Sequence, residues 1–90
     1  MKPVSQVAPE AIATLLREMP LSPGKVEFAW KATVGPAMER VTKVRFENGV
    51  LFVQAQTPAW AREVRRGSSL IRKRLEALLG LEVVQRIVVQ

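Results

Sequence analysis

Six cations crowd into thirteen residues of this chain. Arg62, Arg65, Arg66, Arg72, Lys73 and Arg74 lie between positions 62 and 74 beside a single acid, Glu63. They supply five of the six net positive charges of the 90-residue chain, so the remainder is nearly neutral. Evenly spread charge bears mainly on solubility. Charge gathered in one amphipathic segment makes a local positive field, and such a field attracts polyanions. The competing reading is a solvated helix face with cations near a helix C-terminus. Too few acids are present for that reading to suffice, because Glu63 and Glu76 screen only part of the charge.

A second group is smaller. Lys43, Arg45 and Phe52 fall on one side of a predicted hairpin. An aromatic between cations on a sheet is a recurrent way to hold single-stranded nucleic acid, with a base stacked and phosphates paired. Phe52 is therefore a candidate stacking residue. The alternatives are that a helix or a partner chain covers it, or that Val50 and Phe52 form an apolar docking patch.

Other chemistries lack their residues. Cysteine, histidine and aspartate are absent. No disulfide framework, thiolate metal site, catalytic triad or cysteine nucleophile can be built. The eight acids are all Glu and are scattered along the chain, and no glycine-rich phosphate loop occurs, since Gly67 is followed by Ser68, Ser69 and Leu70. We expect no catalytic residue, no metal and no cofactor, hence no enzyme. Apolar runs fall far short of the ~18 residues that span a bilayer, and Met1 to Val4 lack a signal-peptide core. A cytoplasmic protein with no membrane partner is expected.

The elements that must position these residues follow from spacing. Ninety residues make one domain, 1–90. Ile12, Leu15, Leu16 and Met19 predict an N-terminal helix over 8–19, with Pro9 in its first turn and Pro20 beyond its end. Ser22 caps a second helix with Pro23 at its first position, and Gly35 and Pro36 end it. Val26, Ala29, Trp30, Thr33 and Val34 line its inner face. Val41 to Glu47 and Val50 to Gln56 are strands joined by Asn48 and Gly49, the preferred pair for a type I′ turn. That turn sets Phe46 opposite Leu51 and Arg45 opposite Phe52. Val44, Phe46, Leu51, Val53 and Ala55 then point inward, and Lys43, Arg45, Phe52, Gln54 and Gln56 point outward.

Thr57 and Pro58 start a third helix, with Trp60 and Val64 on its inner side. Gly67, Ser68 and Ser69 break it, and a fourth helix runs on Leu70, Ile71, Leu75, Leu78 and Leu79 until Gly80. Leu81 to Val89 reads as a third strand. Trp30 and Trp60 both read as core. The order α-α-β-β-α-α-β implies an α+β two-layer sandwich, a small three-stranded sheet with helices packed on one face.

The chain resembles a known bacterial family at Trp30, Val34 and Gly35, at the hairpin Asn48-Gly49-Val50-Leu51-Phe52-Val53, and at Pro58-Ala59-Trp60-Ala61-Arg62-Glu63-Val64-Arg65. Leu75, Leu79, Gly80 and the Val-rich last strand close the pattern, which covers about residues 23–89. This is similar to the DciA-like family. The resemblance implies a K-homology-like fold, affinity for single-stranded DNA, and a role in loading the DnaB-type replicative helicase. Family members often carry a long basic tail beyond this region, which this sequence does not include. The Gly-x-x-Gly turn of K-homology domains is also missing. The candidate phosphate contacts are thus Arg62, Arg65, Arg66, Arg72, Lys73 and Arg74, supported by Lys43 and Arg45. Two rival readings stand beside this one: a protein-interaction adaptor without DNA affinity, and an RNA-binding K-homology-like protein. The oligomeric state is open.

Overall fold

The computed structural model describes Thr14, Leu15 and residues 18–90. The predicted N-terminal helix lies largely outside these residues; Thr14, Leu15 and Glu18 are helical. The elements are α1 (Pro23–Val34), α2 (Pro36–Arg40), β1 (Thr42–Glu47), β2 (Val50–Ala55), α3 (Pro58–Arg66), α4 (Ser68–Leu79) and β3 (Arg86–Val89). The fold is α+β, as expected, with α2 as an unforeseen addition: Pro36 ends α1 and also occupies the first turn of the next helix.

Local chemistry sets most boundaries. The Ser22 hydroxyl accepts from the Lys25 amide at 3.1 Å and caps α1, and Thr57 accepts from the Trp60 amide at 3.2 Å and caps α3. Asn48 and Gly49 both take positive φ, 49° and 80°, as a type I′ turn demands. The hairpin register is the predicted one, with Phe46 opposite Leu51 and Arg45 opposite Phe52.

The sheet order is β1-β2-β3, antiparallel and then parallel. β3 is shorter than the apolar run that predicts it. Gly80 at φ 118° and Glu82 at φ 64° turn the chain after α4, leaving Leu81 exposed. The strand begins only where Arg86 comes level with Val50. Two amides, those of Gln85 and Arg86, share the Gly49 carbonyl at 2.7 and 3.3 Å, so the hairpin turn is also the docking point for the last strand.

The core lies between the helices and one sheet face. Val26, Ala29 and Trp30 of α1, Val64 of α3, and Ile71, Leu75 and Leu79 of α4 meet Leu51 and Val53 of β2, with Val84 between α4 and β3. Val44, Phe46, Ile87 and Val89 pack at its margin. Each fully buried aliphatic side chain here contributes about 1.5–3 kcal/mol by leaving water. Trp30 belongs to this core as predicted. Trp60 does not: it is half-buried and outside the cluster, because Ala61 and Val64 are the residues of α3 that turn inward. Lys25 is buried, contrary to its type, and its ammonium donates to the Met19 carbonyl at 2.7 Å.

Candidate nucleic-acid interface

Ala61 and Val64 anchor α3 against the sheet. Arg62, Arg65 and Arg66 follow the i, i+3, i+4 spacing, so they stand on one flank of the helix, away from that anchor. All three are exposed. Arg66 lies 3.4 Å from Glu63, whereas Arg62 and Arg65 have no acid partner among the described residues.

Gly67 separates α3 from α4 and redistributes the second half of the basic segment. Ile71, Leu75 and Leu79 bury one stripe of α4. Arg72, Lys73 and Arg74 are consecutive, and successive helical residues turn by about 100°. All three are exposed, but they leave the helix in three directions and make no single row. Arg72 pairs with Glu76 at 3.6 Å; Lys73 and Arg74 have no acid partner among the described residues. Exposed pairs of this kind contribute at most about 1 kcal/mol, so their arginines can exchange carboxylate for phosphate at little cost.

Arg72 lines a cleft of about 220 Å³ with Ser68, Ser69, Gln85, Arg86 and Ile87. Arg86 is the residue that sequence reasoning missed. The strand alternation around Ile87 and Val89 puts it on the outer face with Val88. It stands level with Val50 on β2 and is among the residues lining the cleft beside α4.

The outer sheet face holds the second group. Lys43 and Arg45 are exposed and Phe52 is half-buried. Core strand residues all lie on the opposite face, so among the described residues no helix of the core lies over Phe52. Its ring is instead met by Arg45, whose guanidinium carbon stands 4.5 Å from the ring centroid while its Nη1 is 2.7 Å from Glu47 Oε1. The helical cations and the sheet cations thus form two surfaces, and Arg86 lies where they meet.

Among the described residues no group of three potential metal-binding side chains occurs, and no helix is long and apolar enough to cross a membrane. A cleft of about 290 Å³ between α1 and β1 is lined mainly by apolar side chains, among them Leu21, Val26, Val44 and Phe46. Ser22, Glu27 and Arg45 also line it.

Comparison with curated proteins gives no match. The sequence does match a family model, described as Dna[CI] antecedent, DciA, over residues 3–89. That match takes in the capped helices, the Asn48-Gly49 hairpin and the whole basic segment. The chain belongs to the DciA family, which is associated with loading of the replicative helicase.

Proposed function

We propose that this protein is a non-enzymatic nucleic-acid-binding module, working in the cytoplasm as one unit over 1–90, that assists loading of the DnaB-type helicase on single-stranded DNA. The observation that carries this reading is the set of exposed cations on α3 and α4, four of them without an acid partner among the described residues, in a chain of a helicase-loading family. Arg62, Arg65 and Arg66 hold successive phosphates by charge-assisted hydrogen bonds. Arg72 and Arg86 grip another at the cleft, and Lys73, Arg74, Lys43 and Arg45 add to the field. Phosphate contacts position a strand without reading its sequence, which suits a loader that must act on many sequences.

The test is binding to labelled single-stranded DNA by fluorescence anisotropy across a salt series. Wild type is compared with the variant Arg65→Gln, Arg66→Gln, Arg72→Gln, Lys73→Gln. Wild type binds with a steep salt slope and the variant loses both affinity and slope. If wild type binds no DNA at low salt yet binds purified replicative helicase through the same arginines, the module is a protein adaptor. A preference for RNA over DNA of equal sequence would point to recognition of the 2′-hydroxyl and to a role with RNA.

A further inference from the structure

The outer sheet face is not used by the helical phosphate contacts, yet it has the parts of a binding surface. Three rows cross it. The first is Glu47, Val50 and Arg86. The second is Arg45, Phe52 and Val88. The third begins with Lys43 and Gln54. Lys43 and Arg86 therefore occupy opposite corners, on the two outer strands, with Phe52 at the centre. Standard strand geometry puts those corners about 16 Å apart between Cα atoms, and their long side chains reach inward from there. The only acid in these rows is Glu47, and it is engaged with Arg45.

Phe52 sits on the central strand, on the face opposite the core and beside Val50 and Val88. Arg45 lies over its ring and is held there from the side by Glu47. A guanidinium pinned above an aromatic ring offers a flat, cationic surface to a planar ring system, and nucleobases stack on both arginine planes and aromatic rings.

We propose that this face is a base-stacking subsite: one unpaired nucleobase lies against the Arg45–Phe52 pair, with its flanking phosphates directed to Lys43 and Arg86. The subsite rests on the nucleic-acid reading above and adds a physical basis for choosing single strands. A paired base keeps its faces stacked within the duplex and cannot lie on the platform. Arg86, shared with the α4 cleft, carries the strand from the helical phosphate contacts onto the sheet.

The experiment compares wild type, Phe52→Leu and the four-glutamine helical variant. Each is titrated with a labelled oligothymidylate and with a duplex of equal length across salt. Loss of one stack lowers single-strand affinity about 5-fold or more. Phe52→Leu should show that loss with its salt slope kept and its duplex affinity within about 2-fold, since no phosphate contact is removed. Thermal melting checks that the variant is folded. Wild type cross-linked to 5-iododeoxyuridine DNA gives a reading independent of any substitution, with the adduct expected on the β2 peptide holding Phe52. If Phe52→Leu binds single strands as wild type does and adducts fall only on α3 or α4, the platform is overturned and the helical phosphate reading stands. If wild type binds neither nucleic acid, the parent reading falls, and the platform with it. If Phe52→Leu loses affinity for purified helicase and none for DNA, the face docks protein and the proposal is overturned.

Discussion

Trp30 ties three elements together through one hydrogen-bonded chain. Its indole Nε1 donates to the Thr42 hydroxyl at 2.9 Å, and that hydroxyl donates to the Met38 carbonyl at 2.7 Å. The ring is 2% exposed, so the indole N–H has little access to water as a substitute. Thr42→Val keeps the shape but strands both partners, and should cost about 1–3 kcal/mol in urea unfolding. Thr33 is the converse case. Its hydroxyl oxygen is buried with no hydrogen-bond partner, so Thr33→Val removes an unsatisfied group and should stabilise the protein by about 1 kcal/mol. The same unfolding measurement checks both, and opposite signs are expected from one substitution type. Neither residue's role is visible in sequence. Both are threonines of a helix or strand, and only the fold decides which one finds a partner.

At the scale of elements, the hairpin turn is the junction on which the sheet depends. Gly49 has φ 80°, and a Cβ there would meet the Gln85 side chain at 3.0 Å. Gly49→Ala is expected to destabilise by about 1–2 kcal/mol from the left-handed backbone alone, with further loss from displacing Gln85. Equilibrium unfolding gives the size, and amide exchange at Gln85 and Arg86, whose amides bond to the Gly49 carbonyl, shows whether β3 loosens first. The caps at Ser22 and Thr57, the Asn48-Gly49 turn and the break at Gly67 were legible because each rests on interactions within a few residues. The start of β3 was not. Val83 and Val84 look like strand residues, but the chain must first turn through Gly80 and Glu82 to come alongside β2. Trp60 lies outside the core for a related reason: a nine-residue helix has room for a narrow buried stripe, and Ala61 and Val64 fill it.

For the whole molecule, the decisive property is where the charge ends up. If the four cations of the glutamine variant each neutralise one phosphate of a single strand, the salt slope should fall by about 3. A smaller fall would mean that some of them point away from the strand, which the splay of Arg72, Lys73 and Arg74 around α4 makes a direct question for anisotropy. Composition and local spacing by themselves determined that the protein has a concentrated positive segment, an α+β element order, a hairpin of known register and no cysteine, histidine or aspartate. These follow from residue type and from periodicity within a few turns of chain. The tertiary structure alone decided that Arg86 and Arg72 line one cleft, that the helical and sheet cations form two surfaces, and that Arg45 stands over the Phe52 ring on the face opposite the described core helices. The placing of Arg86 depends on a parallel pairing between segments some thirty-six residues apart, Val50 with Arg86, and no local signal encodes which strands will meet across such a crossover.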